Sequence, residues 1–251
     1  VQDEPELADK LPGAVVLDVG GEKIGVVAVL AEDTGETSSP GEGVEFEPVV
    51  PYLRAAVQGL EAAGVNKIIA LTHVGYTVDQ DIAASVPGID VIVGGHSHTL
   101  LSSTEEGAAG PYPTMVNNPM GTEVPIVTAY SYGKYLGDLV VTWDDAGNVI
   151  SAQGAPILLD ASVEADQAAK TRIAELQEPI NALMEEVIGT ATAPIEGSRE
   201  VCRIEECSMG TLVTDAMLAS EAAGGATIAI QNGGGLRASI EAGEITMGEV
   251  L

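Results

Sequence analysis

At 251 residues, of which 45% are hydrophobic, the chain carries enough apolar material for one large or two modest folded domains, so it is globular rather than disordered. Against 38 acidic residues stand only 10 Lys plus Arg, a formal net charge of −28, which argues against nucleic acid polymers and anionic membrane surfaces as partners and suits a salty environment. No stretch approaches the roughly 20 apolar residues of a membrane span, and the opening Val1-Gln2-Asp3-Glu4-Pro5, without initiator Met or signal peptide, together with Ile245–Leu251, which stops in mid-pattern, reads as both ends of a piece cut from something longer.

Val15–Val19 and Ile24–Leu30 are β-rich runs around Gly20-Gly21-Glu22, which predicts a hairpin. The acidic run Glu32–Glu47 reads as a solvated loop. Val50, Leu53, Val57, Leu60 and Ala63 recur at spacings of three and four and predict a helix stopped by Gly64. Lys67–Thr72 then reads as a buried strand, 79–86 as a short helix and Asp90–Val93 as the next strand. This βαβ-like order places the chain in the α/β class, where ligands bind at the carboxyl ends of the strands.

Residues 100–123 form a long stretch rich in Gly, Pro, Ser and Asn and are expected to be a loop at a site rim. Ile126–Tyr130, Leu136–Trp143 and Val149–Leu158 alternate, with Asp144–Asn148 as a turn, and predict an antiparallel meander, with Tyr130, Tyr132 and Tyr135 as strand-packing and rim residues and Trp143 as a packing residue. From 162 to 188 the period changes to that of a helix, through Ile173, Leu176, Ile180, Leu183 and Val187, with a kink at Pro179. The domains are therefore expected at 1–161 and 189–251, with 162–188 as a linker helix. The second unit would hold a cysteine loop, a helix from Ser208 as N-cap to Ser220, a strand Ala226–Ile230 and the turn Asn232-Gly233-Gly234-Gly235-Leu236-Arg237. It is too short to close a domain by itself.

All three histidines sit at predicted strand ends, in Leu71-Thr72-His73 and in Gly94-Gly95-His96-Ser97-His98-Thr99. Two glycines let the backbone turn tightly after Val91–Val93 and present two imidazoles one residue apart, a metal-binding pattern. Such a pattern suits hydrolysis of a phosphate ester, because two ions about 3.5–4 Å apart activate water and neutralise charge on both reacting oxygens. Three histidines cannot complete two such sites. Cys202 and Cys207 have no third thiol or neighbouring His for zinc, so a local disulfide, with free thiols as the alternative, is the reading. It implies an oxidising compartment.

The segments Leu-Thr-His73-Val-Gly, Asp-Val-Ile-Val-Gly-Gly-His96-Ser-His98-Thr, Tyr132-Gly-Lys-Tyr-Leu-Gly137, Cys202-Arg203-Ile-Glu-Glu-Cys207-Ser-Met-Gly and Asn232-Gly-Gly-Gly-Leu-Arg237, in that order, resemble the bacterial 5'-nucleotidase family of two-domain metallophosphoesterases. The resemblance implies a four-layer α/β/β/α catalytic domain joined by a long helix to an α/β substrate domain. It implies two divalent ions, Zn, Mn, Fe or Co, with His73 and His96 on one and His98 on the other. It further implies that Arg203, Asn232, Gly234 and Arg237 bind the nucleotide; past Arg172 the only cations are Arg199, Arg203 and Arg237, which an anionic ligand would need. The activity implied is hydrolysis of nucleoside 5'-monophosphates by a metal-activated water, in a periplasmic, secreted or cell-surface protein. Alternatives within the fold are a 2',3'-cyclic phosphodiesterase, a nucleotide pyrophosphatase or a thiosulfohydrolase; from another class, a non-catalytic binding module. The family's Asp-x-His and Gly-Asn-His motifs, the latter with the transition-state histidine, would precede Val1, and its base-stacking aromatics would follow Leu251, so no catalytic residue is assigned within the chain.

Overall fold

The computed structural model describes residues 10–41 and 43–251, and the opening Val1–Pro5 lies outside them. The chain divides into two compact units between Val163 and Glu164. In the first, β1 (Ala14–Val19) and β2 (Glu22–Leu30) form the expected hairpin, with Gly20 and Gly21 at φ +64° and +91° in the turn. Only glycine adopts two consecutive left-handed positions at low cost. Within the acidic run, Thr34–Thr37 makes one helical turn (α1), and Glu32 is not simply solvated. Its carboxylate accepts from Val49 N–H at 2.9 Å, satisfying one of the donors left open at the start of the next helix.

That helix, α2 (Val49–Ala62), buries Leu53, Val57 and Leu60 of the stripe read from the sequence, with Val49 buried in place of the half-buried Val50 and Ala63 left exposed as the C-cap. Each such side chain contributes roughly 1.5–3 kcal/mol when fully buried. It leads into β3 (Ile68–His73), α3 (Tyr76–Ser85) and β4 (Val91–Val93). Strands β2, β3 and β4 are parallel neighbours, as crossover helices between them require. Val27, Ile68, Ala70, Ile82, Ile92 and Ile126 fill the core between the sheet and these helices. By alternation, Leu30, Leu71 and His73 lie on the opposite face, where Leu30 and Leu71 remain 56% and 50% exposed.

Two expectations fail in the next stretch. The 100–123 segment is not all loop: Thr114–Asn117 is a strand, β5, and pairs antiparallel with β6 (Glu123–Val127). The turn between them is held by Asn118, whose Oδ1 accepts from Met120 N–H and Thr122 N–H at 2.9 and 3.0 Å. Nor does β6 begin a meander with the strands that follow. It pairs parallel with β4, completing a six-stranded sheet of order β1-β2-β3-β4-β6-β5. Val124–Val127 are buried without alternation, the mark of a strand covered on both faces. Of the three strands expected in the meander, only β7 (Tyr135–Trp143) and β8 (Val149–Leu158) pair with each other, antiparallel. Their turn closes on Asp144, whose Oδ1 accepts from Ala146 N–H and Asn148 N–H; the Asn148 side-chain bond holds this carboxyl below its usual range. The hairpin and the sheet jointly line a cavity of about 650 Å³, between Ile69 and Val91 on one side and Leu139 and Trp143 on the other.

In the second unit α4 (Gln167–Met184) begins at Asp166, whose side chain accepts from Ala169 N–H at 2.8 Å, and runs on through Pro179. Where 162–188 reads as one linker helix, Val187 and Ile188 belong instead to β9 (Val187–Ala191), which pairs antiparallel with β10 (Gly243–Thr246). Helix α4 lies within this unit and packs on α7 (Met247–Val250). Between them come α5 (Arg199–Cys202) and α6 (Ser208–Ala219). Ser208 is the first helical residue rather than the N-cap, which is Cys207, because the Ser208 hydroxyl accepts from Glu196 N–H at 2.7 Å. Ala226–Ile230 is not a strand: it pairs with no other strand among the described residues, and Ile228 and Ile230 are 77% and 87% exposed. β-propensity alone does not make a strand without a neighbour to complete its hydrogen bonds.

Candidate functional site

His73 is the last residue of β3, and the β3–β4 register, Leu71 opposite Val93, brings the end of β4 level with it. Gly94 and Gly95 then carry the chain over to His96, whose ring lies 5.1 Å from that of His73, centroid to centroid, at 76°. A Cβ on Gly95 would stand 3.1 Å from His73 Nδ1, so the second glycine is what allows the loop to pass this close to the imidazole. The loop is tied to the residues after His73 by Ser97, whose hydroxyl accepts from Tyr76 N–H at 3.0 Å and bonds Thr99 Oγ1 at 2.7 Å.

The non-glycine residues with left-handed backbone among those described are His96, His98, Tyr130 and Tyr132, at φ +80°, +51°, +66° and +57°. They fall in two adjoining loops: Tyr130 N–H donates to Thr99 O at 3.2 Å, and the His98 and Tyr132 rings meet edge to face at 5.2 Å. Each such residue costs on the order of 1 kcal/mol or more, and outliers of this kind gather at functional sites. His98 is turned toward a different space from the His73–His96 pair. It lines a cavity of about 500 Å³ with Glu105, Glu106, Tyr130, Lys134 and Tyr135, and the Lys134 ammonium lies 5.7 Å from the centroid of each of those two tyrosine rings.

Beneath the paired histidines lies Asp79, fully buried on α3. Burial pushes its carboxyl up to about 6, against the opposing effect of a 2.5 Å hydrogen bond from the Thr72 hydroxyl. The sequence reading passed over this residue, although a signal exists: Asp79 stands three, four and seven residues before the buried Ile82, Ala83 and Val86, in a slot of the helix's core face where an apolar residue is the norm. No group of three or more His, Cys, Asp or Glu side chains among the described residues is arranged to hold a metal ion. The pair therefore offers two imidazole nitrogens, part of the set of four or more that a transition metal takes.

In the second unit Cys202 and Cys207 are joined in a disulfide, with Cα atoms 5.3 Å apart. Both are buried and pack with Leu236 of the glycine turn. Gly233–Gly235 is a tight 3-10 turn whose entry is held by Asn232 Oδ1, accepting from Gly234 N–H at 2.9 Å. Gly233 passes so close to the Cys202 carbonyl that no Cβ could be accommodated. The result is a cavity of about 330 Å³ lined by Cys202, Arg203, Asn232, Gly233 and Gly234. Three of the four residues expected to bind substrate, Arg203, Asn232 and Gly234, are thus brought together. Arg237 is exposed one residue beyond the buried Leu236 and is not part of this lining. Neither arginine forms an ion pair among the described residues. Before the cysteine loop, Glu196 Oε1 accepts from Ser198 N–H at 2.7 Å and the Ser239 hydroxyl at 3.1 Å, bonds that hold its carboxyl below the usual range.

Residues 187–251 match the family model described as 5'-nucleotidase, C-terminal domain. The chain is 38% identical over 250 residues to the snake venom 5'-nucleotidase of Gloydius brevicauda, covering 94% of this chain and 42% of that protein. It is 39% identical over 237 residues to the 5'-nucleotidase of Homo sapiens, covering 90% and 41%. Among solved structures, the 5'-nucleotidase precursor from Thermus thermophilus aligns with a TM-score of 0.82 and 42% identity over 99% of this chain and 50% of its own. The chain spans half or less of the length of these proteins, and over that span, in both of its units, it is a relative of the 5'-nucleotidases.

Proposed function

We propose that the chain forms part of a metal-dependent phosphohydrolase that converts a nucleoside 5'-monophosphate to the nucleoside and phosphate. The observation that carries the reading is the juxtaposition of His73 and His96 at the ends of adjacent parallel strands, with left-handed backbone at His96 holding the loop in place. His73 and His96 would share one divalent ion, and His98, facing separately, would serve a second. The remaining oxygen ligands would come from outside the described residues. The bare apolar face that carries Leu30 and Leu71 beside His73 accords with further chain covering it, since exposed apolar patches of this kind are usually covered by a partner surface.

Divalent ions, when bound at such a site, activate water and neutralise charge on a phosphate ester. The chain's own residues supply the rest. The imidazoles of His73 and His96 present nitrogen donors. In the second unit the Arg203 guanidinium, pre-set by the disulfide beside it, would meet an anionic substrate, and Gly233 and Gly234 would let a ligand approach the backbone closely. Arg237 would complete the contact from beyond the glycine turn. Asn232 spends its carbonyl oxygen on Gly234 N–H, which leaves its amide N–H groups as donors to the ligand. Both the buried disulfide and the venom source named for relatives of the chain favour a location outside the reducing cytoplasm. No helix among the described residues is long and apolar enough to cross a membrane.

The test is phosphate release from AMP by the longer polypeptide that contains this chain. Chelator-sensitive hydrolysis of AMP is expected; activity confined to cyclic phosphodiesters, to dinucleotide pyrophosphates or to a thiosulfate ester would replace the monoesterase assignment by another of the same fold. The chain on its own, with no complete metal-binding group among its described residues, is expected to bind nucleotide without hydrolysing it.

A further inference from the structure

Asp79 is an unusual occupant of its place. It sits on the buried side of α3 with no exposed surface, and only one of its two carboxyl oxygens has a partner. Oδ1 accepts from the Thr72 hydroxyl at 2.5 Å. Oδ2 has none, and it packs so tightly against the Cα of Gly94 that a Cβ there would overlap it. A buried carboxylate oxygen without a hydrogen bond is destabilising, and an apolar side chain would fill the slot at no such cost. The two groups it touches explain its presence. Thr72 immediately precedes His73 at the end of β3, and Gly94 immediately follows β4 and leads to His96. The Thr72 hydroxyl also reaches the Val93 carbonyl at 3.5 Å, so one carboxyl group and one hydroxyl span both strand ends.

We infer that Asp79 is a positioning residue, setting how His73 and His96 approach each other by fixing Thr72 on one strand and the path of Gly94 on the next. It touches neither ring and is not a catalytic residue. Its use for metal binding rests on the proposed function above; the positioning itself does not. Outer groups that orient ligands without touching the metal typically change affinity tenfold to a hundredfold when removed.

The experiment uses the intact chain, whose three histidines give three sets of imidazole signals in a long-range 15N–1H spectrum. Asp79→Asn is expected to shift the His73 and His96 signals and leave those of His98 in place. Thr72→Val should reproduce the shift, and Thr72→Ser, which keeps the hydroxyl, should restore the wild-type positions. Ile82→Val, on the same buried face of α3, controls for a general loosening and should move neither signal. A Zn²⁺ titration of the longer polypeptide containing this chain is expected to show affinity about tenfold weaker in Asp79→Asn and Thr72→Val. If Asp79→Asn or Thr72→Val folds and leaves His73 and His96 unmoved, or if Ile82→Val moves them equally, the inference is overturned. If the signals move as stated but the wild-type longer polypeptide takes up no Zn²⁺, the positioning role stands and the metal reading fails.

Discussion

The contact between Gly94 and Asp79 makes a sharp stability prediction. In Gly94→Ala the new methyl group would overlap Asp79 Oδ2 and lie 3.1 Å from its Cγ, with Thr72 Oγ1 at 3.6 Å on the other side. Asp79 is completely buried and cannot swing away. Either the strand end moves, an overpacking cost of about 1–3 kcal/mol, or the carboxyl leaves Thr72 and forfeits a charge-assisted bond worth about 1.5–3 kcal/mol. A loss of about 2–4 kcal/mol is expected, a large share of the roughly 5–15 kcal/mol that holds a domain folded. Trp143 is the only tryptophan and belongs to the first unit, so its fluorescence during urea unfolding reads that unit alone. The reasoning also fixes a double-mutant result: with the carboxyl removed in Asp79→Ala, the added methyl of Gly94→Ala should cost nothing further. Gly94→Ala within about 0.5 kcal/mol of wild type, or a fully additive double variant, would refute the packing argument.

Replacing Arg203 by Ala should weaken binding of AMP to the chain by about tenfold to a hundredfold, the worth of one charge-assisted hydrogen bond, while Arg199→Ala, a cation outside the cavity, leaves calorimetric affinity unchanged. Reducing the Cys202–Cys207 bond removes a short loop constraint worth about 2 kcal/mol on the chain-entropy model; AMP affinity should fall with it, and retention of full affinity in Cys202→Ser/Cys207→Ser would show that the disulfide does not shape the cavity. Asp90, whose Oδ2 accepts from Ile68 N–H at 2.6 Å, is pushed up to about 6 by burial. Because the folded value lies above the unfolded one, its carboxyl stabilises the fold most below pH about 4, and that stability is lost as pH rises through about 6. The stability of wild type relative to Asp90→Asn should therefore decline over that interval, and a difference independent of pH would contradict the assignment.

How far the sequence could be read follows from which patterns are local. The stripe Leu53, Val57, Leu60 and the glycine pair at 20 and 21 each specify an element from within, and both elements stand as read. Partnership between distant strands is not encoded that way. Ile126 and its neighbours read as a strand, but whether they join β4 or β7 depends on what covers their second face, and Val124–Val127 are buried on both. Ala226–Ile230 has the composition of a strand and, among the described residues, no neighbour to pair with. At the site, glycines beside His96 announced a tight loop, and the structure adds what no spacing could supply: that His73 and His96 meet while His98 turns to Tyr132. Asp79 was legible in principle as an acid in a core position of a helix. Its significance required Thr72 and Gly94 to be seen on either side of it.

The most direct test of the central claim is the metal content of the longer polypeptide containing this chain, purified without chelator, with His96→Ala measured alongside. The account predicts about two transition-metal ions per chain, as a two-metal phosphohydrolase holds, and a clear loss in the variant. Well below one ion per chain in the wild type, or equal content in His96→Ala, would contradict it.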